Sequence, residues 1–287
     1  MKSLDAIGTA NGRCRLEQGE QTSPNRHALP ITTLIASKPS RSQLLLRALD
    51  AVQAQTRPAD QLIVVFDRTT AGTNESGVMV RDRLVSMGAV VLTNARSQGA
   101  AGTWNTGLCW LQSQRFDGYV AILDDDDEWD LDHLKQCELA SLEGRADVVL
   151  SGLRVVKDGV ELPRAPLSSI SRDDFLAGNP GWQGSNTFVK SRALAQVNGF
   201  TDGLPSTNDR DLAVRLLGLP DLTVAFTGCM TASWHLSSHG DGLSRTGSPE
   251  KRAGLIQFFA MHRHLMSPQV ETRFKTRARE LFGVDVP

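Results

Sequence analysis

The chain has 287 residues, of which 40% are hydrophobic and 22% charged, a balance that excludes a wholly disordered or collagen-like polymer and suits one large domain or two small ones. Lys and Arg total 31 against 32 Asp and Glu, a net charge of −1, so no global basic excess points to nucleic acid or acidic lipid. The four cysteines, Cys14, Cys109, Cys137 and Cys229, include no Cys-x-x-Cys pair, which argues against a thiolate zinc site and for a reducing compartment.

Residues 1–29 are polar, rich in Gly, Asn, Gln and Thr, and lack a steady apolar period, so they read as a flexible leader. They hold no apolar run fit for a signal peptide, and the chain nowhere offers the roughly 18 apolar residues of a membrane span. A cytoplasmic location is the expectation. The β-branched run 31–36 predicts the first strand. Ser40 and Gln43 have the spacing of a capping box, and Leu44, Leu45, Ala48, Leu49 and Val52 recur behind them at helical spacing. After Pro58, residues 62–66 read as a buried strand, 78–87 as a helix stopped by Gly88, and 89–92 as a short strand. A helix over about 99–114 puts Trp104, Leu108 and Leu111 on one face. Residues 118–123 form the next apolar strand, Leu131, Leu134 and Leu142 mark a helix, and 147–150 a strand. Strands alternating with helices imply an α/β fold of parallel βαβ units, with a sheet covered on both faces.

Beyond residue 150 the rhythm changes. Residues 155–160 suggest a hairpin turning at Asp158-Gly159. Ser171 and Asp174 have capping-box spacing, and Ser191 is placed to cap a helix running to Val197. Residues 209–217 read as a helix, 222–226 as a strand, and about 250–283 as helical. Residues 251–287 hold seven Lys or Arg and three Asp or Glu. That excess suits a solvated helical face, or weak peripheral contact with lipid head groups or another acidic partner.

The densest signal follows the strand 118–123. Asp124, Asp125, Asp126, Asp127 and Glu128 precede Trp129, and residues 121–132 hold seven acidic side chains and no basic one. Adjacent carboxylates repel, so gathering them costs free energy that a cation offsets. Open α/β sheets bind ligands beyond the carboxyl ends of their strands. An Asp-x-Asp pair placed there suits a hard divalent ion, which takes oxygen ligands and bridges to phosphates. A solvated acidic turn before a helix N-terminus is the plainer alternative.

Residues 123–129, Leu-Asp-Asp-Asp-Asp-Glu-Trp, resemble the "LDxDDxW" segment of family 2 glycosyltransferases, which have the GT-A fold. Other pieces occur in that family's order. The opening strand resembles its first nucleotide-binding strand, and Ala54-Gln55-Thr56 is similar to the end of its "A-x-x-S-V-x-A-Q-T" helix. Residues 61–67 resemble "x-I-I-V-V-D-D", and 98–107 are similar to "R-G-x-x-x-A-R-N-x-G". Gly199-Phe200 followed by Asn208-Asp209 resembles "G-F-x-x-x-x-x-x-E-D". The resemblance spans roughly residues 31–240. It implies a Rossmann-like, mostly parallel sheet flanked by helices, with a mixed second half completing the acceptor side. The expected layout is a domain over 30–248, with a nucleotide-binding half at 30–150 and an acceptor-binding half at 151–248, then a helical segment at 249–287.

The resemblance also implies a reaction: inverting transfer of a hexosyl-type sugar from a nucleotide-diphosphate donor, foremost a UDP-sugar, to an acceptor hydroxyl. Mn2+ or Mg2+ would sit on the diphosphate, held by Asp124 and Asp126 with His235 as an additional contact and His239 as its rival. Asp124 and Asp125 would also face the donor, together with Ser37, Asp67 and Asn105. Asp209 would be the catalytic base, with Asp211 a nearby rival, and Asp127 would cap the following helix. Trp182 and Gln183 would meet the acceptor, whose class stays open between saccharide, lipid, peptide and small metabolite. His262 and His264, two apart on a helix, have poor ligand geometry. The chain departs from the family pattern at four positions. Ala36 replaces Pro, Phe66 the first of two acids and Asn208 a Glu, and Trp104 stands where Arg or Lys is common, a lost charge that Arg96 or Arg41 would offset.

Two other classes share part of this pattern. A metal-dependent nucleotidyltransferase usually wants a Gly-rich basic phosphate loop near its first strand, which is not seen here. A non-catalytic nucleotide-sugar sensor draws on the altered Phe66, Trp104 and Asn208.

Overall fold

The computed structural model describes residues 28–68, 74–142, 144–236 and 248–287; residues 1–27 of the expected leader and His239 lie outside these. Strands β1 (Ile31–Ser37), β2 (Gln61–Phe66), β3 (Val90–Thr93) and β4 (Tyr119–Asp124) alternate with helices α1 (Ser42–Gln53), α2 (Glu75–Ser86) and α3 (Ala100–Ser113). Then follow β5 (Glu128–Trp129), α4 (His133–Ala140), β6 (Val148–Lys157), β7 (Val160–Leu162) and α5 (Arg172–Ala177). After these come β8 (Thr187–Lys190), α6 (Ser191–Gln196), α7 (Asn208–Leu216), β9 (Val224–Leu236), α8 (Pro249–His262) and α9 (Pro268–Phe282).

All the strands join one sheet, ordered β3-β2-β1-β4-β8-β6-β9-β5, with β7 on β6. β1 pairs in parallel with β2 and β4, and β2 with β3. β8 runs antiparallel between β4 and β6, while β6 and β9 are parallel. The sheet is therefore parallel in its first half and mixed in its second, the α/β architecture expected. The strand direction reverses beside β4, and its carboxyl end opens into the crevice where such sheets take ligands.

Alternation along the strands splits the core. Leu34, Val120 and Ile122 face one side, and Ile35, Ala121 and Leu123 the other. The first face is covered by α3, α5, α6, α7, α8 and α9, including Trp104, Leu212, Phe258 and Phe274. The second is covered by Leu45 and Leu49 of α1, Val80 of α2 and Leu134 of α4. The C-terminal helices thus share the main core with α5 and α7.

Several elements differ from the pattern read in the sequence, each for a local reason. Ser40 and Gln43 form no capping box: Pro39–Arg41 is a 3-10 turn, the helix starts at Ser42, and the Ser42 hydroxyl donates to Pro39 O at 2.9 Å. Ser191 opens α6, but its hydroxyl donates to Phe116 O at 3.0 Å and caps nothing. α4 is short, and Leu131 and Leu142 flank it exposed while Leu134 alone of the three is buried. The 250–283 stretch divides, because Ser267 caps a new helix whose first residue is Pro268. β9 runs well past Phe226, with register irregularities against β6 around Gly152. The Ser171–Asp174 capping box and the Asp158-Gly159 turn form as read, the turn residues holding φ of 49° and 82°.

Candidate active site

β4 carries Asp124 out of the core, and the chain turns at once: the Asp127 N–H donates to Asp124 O at 3.2 Å. The four consecutive carboxylates then separate. Asp125, 3% exposed, accepts from the Ser37 hydroxyl at 2.7 Å and from Arg41 Nη1 at 2.6 Å. Asp126 is half-buried, 3.2 Å from Arg41 Nη2, and its carbonyl accepts from Arg47 Nη2 at 2.6 Å. Asp127 is fully buried and accepts from the Ser185 hydroxyl at 2.5 Å and the His235 N–H at 2.9 Å. It fastens β9 and the 184–186 turn to the strand end and caps no helix, since α4 is preceded by Asp132. Asp124 faces Gly184, where an added Cβ would lie 2.6 Å from Asp124 Oδ1, so that turn closes on the carboxylate because residue 184 has no side chain.

Burial foremost, then repulsion from Asp127, Asp209, Asp126 and Asp125, pushes the Asp124 carboxyl well above the usual carboxylate range. Burial also raises Asp125, with Arg41 opposing, and raises Asp127, where Asp126 adds to the effect. Arg41 and Arg47 offset part of the cluster's charge; among the described residues Asp124 receives no such partner.

Asp209 comes from the first turn of α7. The residue before the helix, Thr207, holds a left-handed φ of 67°, a costly conformation for a β-branched side chain. That bend brings Asp209 close enough to Asp124 to repel it. Burial raises Asp209 to about 7, with Lys251 pulling the other way. Its rival Asp211 is fully occupied: it accepts from Thr201 Oγ1 at 2.8 Å and Arg215 Nη2 at 2.7 Å, and pairs with His262 Nε2 at 2.8 Å. Burial works against its ionisation, but His262 and Arg215 hold it below the usual range. His262 is thereby structural.

The other expected residues fall into two groups. Asp67 accepts from Asn94 Nδ2 at 2.8 Å and the Gly99 N–H at 3.1 Å, bracing the entry to α3. Asn105 bonds Phe200 through N–H and carbonyl, both at 2.8 Å, and donates to Asp202 Oδ1 at 2.7 Å. With Ser37 on Asp125, these three side chains hold loops around the site. Trp104 stacks on Phe200 at 4.6 Å, and Arg96 pairs with Asp202 at 2.7 Å. Arg96 is thus committed to a loop, while Arg41 sits at the carboxylates. The Trp182 ring has 0% exposure and donates to Thr187 Oγ1 at 2.7 Å, so it belongs to the core and does not wall the acceptor side.

Gln183 does line an open pocket of about 340 Å³, with Asp209, Thr207, Asn179 and Trp234. Trp234, on β9, lines this pocket, and Trp182 does not. Arg164, Arg210, Lys251 and Arg277 line the same pocket and were not singled out as site residues either. Their positions share no spacing that would reveal them.

Among the described residues no three or more His, Cys, Asp or Glu side chains gather as a ready metal cage. The residues present nonetheless suit an ion completed by substrate oxygens. Among the described residues Asp124 has no cationic partner, and His235 Nε2 is buried without a hydrogen bond, 3.8 Å from Glu128 Oε1. Burial lowers the His235 pKa and keeps the ring in its neutral, ligating form.

Residues 37–204, more than half of the chain, match the family model for glycosyl transferase family 2. The chain belongs to that family. This glycosyltransferase is 25% identical over 246 residues to the amylovoran biosynthesis glycosyltransferase AmsB of Erwinia amylovora, covering 80% of this chain and 77% of AmsB. Its fold is similar to that of S. aureus TarS 1–349 in complex with UDP-GlcNAc, with a TM-score of 0.63 at 13% identity over 90% of this chain and 74% of that one. The UDP complex of TarS 1–349 gives a TM-score of 0.59 at 14% identity over 88% of this chain and 72% of that one. The GT-A fold read from the strand end is thereby shown. Among the described residues of this glycosyltransferase, no helix is long and apolar enough to cross a membrane.

Proposed function

We propose that this glycosyltransferase moves a sugar, with inversion, from a UDP-sugar to an acceptor hydroxyl that gives its proton to Asp209. The observation that carries this reading is the position of Asp209, which repels the Asp124 carboxylate on one side and lines the pocket on the other. Inversion requires a base across the sugar from the departing diphosphate. As the acceptor oxygen bonds the anomeric carbon, the bond to the diphosphate breaks and the hydroxyl proton passes to Asp209. A carboxylate raised to about 7 is matched to that task near neutral pH. The TarS complexes with UDP-GlcNAc and UDP support a nucleotide-sugar donor.

Asp124 and Asp126, with His235, would hold Mn2+ or Mg2+. Such an ion, when bound, neutralises the charge gathering on the leaving diphosphate. The chain's own residues set the frame: Ser37 and Arg41 orient Asp125, Ser185 orients Asp127, Asp67 braces the entry to α3, and Asn105 holds the 200–202 loop. The reading is tested by following UDP release from a panel of UDP-sugars with Mn2+ and with chelator. Metal-dependent release is expected, and its loss in folded Asp126→Ala and Asp209→Asn variants. Undiminished release in both variants would overturn the assignments, and tight UDP-sugar binding with no turnover would favour a sensor.

A further inference from the structure

The pocket beside Asp209 is charged unlike any other part of the site. Four cations line it from four places in the chain: Arg164 after β7, Arg210 on α7, Lys251 on α8 and Arg277 on α9. Asp209 is the one carboxylate lining it among the described residues. Among those residues none of the four cations forms an ion pair, whereas Arg41, Arg47, Arg96, Arg154 and Arg215 are all paired with carboxylates. Arg210 is buried and Arg164 and Lys251 are half-buried, where a cation normally finds a counter-charge because desolvation is otherwise uncompensated; Arg277 is exposed at the rim.

Arg210 is 7% exposed. Its guanidinium donates to Phe175 O and Leu176 O and lies 4.3 Å from the centre of the Phe258 ring, which fixes it without neutralising it. Lys251 Nζ sits 4.4 Å from the centre of the Phe282 ring. Arg277 is packed over Gly178 and Arg164 over Gly181, where an added Cβ would come within 2.6 and 2.4 Å of their guanidinium nitrogens. Small residues therefore let both arginines lie along the rim. Trp234 and Gln183 supply what a sugar ring needs besides charge, an aromatic surface and an amide, while the Asn179 amide holds the 181–182 turn that shapes the wall.

We infer that this pocket receives an anionic acceptor, a saccharide bearing a carboxylate or phosphate, whose charge is held by Arg164, Lys251 and Arg277 while its hydroxyl meets Asp209. The inference rests on the glycosyl transfer proposed above and names the substrate class of its second site. Arg210 is a positioning residue beneath the pocket, held by backbone carbonyls.

The test is calorimetric titration of the full chain with glucuronate, glucose 6-phosphate and glucose, each with and without saturating UDP and Mn2+. Both anions should bind about tenfold or more tighter than glucose, and added salt should weaken them. Arg277→Gln should reduce their affinity about tenfold with melting temperature and UDP affinity unchanged; Arg277 is exposed, so this variant keeps the test open if Arg164→Gln fails to fold. Equal binding of glucose, or unchanged anion affinity in Arg277→Gln, would overturn the inference. Displacement of the anions by UDP would assign the cations to the donor diphosphate and overturn it as well. The donor reading is scored separately in the same titrations. UDP binding without anion preference sinks the acceptor inference alone; anion binding that persists without any UDP affinity sinks the UDP donor and leaves the anion site standing.

Discussion

The two sides of Asp209 solve opposite electrostatic problems in opposite ways. At the end of β4 five consecutive acidic residues are forced together, and the fold answers with Arg41, Arg47, two serine hydroxyls and the His235 N–H. In the neighbouring pocket four cations converge from distant segments, and the fold supplies no ion pair for them among the described residues. The charge run that stands out in the sequence is thus largely settled within the protein, leaving Asp124 as its open point. The scattered cations, invisible as a pattern, are the ones left available. A charge cluster indicates a ligand by what the fold leaves unpaired, more than by how many like charges stand in a row.

Asp209 belongs to both sides, so removing its charge has the largest expected effect. Asp209→Asn should lower transfer by about 10²–10⁴-fold, the range for loss of a general base, with UDP affinity unchanged. A fall in UDP affinity of the same size would instead place Asp209 on the donor. The two tryptophans sharpen the comparison next. Trp182→Ala empties a fully buried site and should cost roughly 3–5 kcal/mol in urea unfolding. Trp234→Ala, at a half-buried site packed on the second face of the core, should cost less stability than Trp182→Ala and weaken glucuronate binding in calorimetry. If the outcomes exchange, Trp182 is the pocket wall after all. Ser185→Ala comes third. It strips a hydrogen bond from the buried Asp127 carboxylate and should cost about 1.5–3 kcal/mol, read by the same unfolding curves.

Most of the first half was legible because its signals are local. The run at 62–66 is apolar without interruption, 118–123 is apolar apart from its leading Gly118, and 31–36 is β-branched and apolar apart from Thr32 and Thr33, as strands covered on both faces tend to be. Asp124 and Asp209 were legible as pieces of ordered motifs, and the sheet brings them within range of one another. The second half resisted for physical reasons. β9 beyond Phe226 is half-buried and irregular opposite Gly152, so it carries neither a clean alternation nor a continuous apolar run. Ser40 has the right spacing for a cap, but Pro39 starts a tighter turn before it. Trp182 and Trp234 are indistinguishable as letters; only the packing of α5 under Trp182 and the half-buried position of Trp234 at the pocket separate core from wall. The pocket cations come from four elements that no window of sequence spans.

The most specific effect is in pH. Transfer needs Asp209 ionised, so with its carboxyl raised to about 7 the rate should fall about tenfold per unit below that pH. Lys251 is the cation that favours the ionised form, and Lys251→Gln should move this acid limb to higher pH. Stability supplies an independent check with a fixed sign. A carboxyl raised in the folded state takes up protons on folding between its unfolded value near 4 and about 7. Its stabilising contribution is complete below that interval and is lost as pH climbs through it. Asp209→Asn carries no charge to desolvate, so its melting temperature relative to the parent chain should rise from pH 4 to pH 7 and level off above. A difference that stays flat across that interval would mean Asp209 is well solvated, and both the base assignment and the contrast between the two sides of the site would lose their footing.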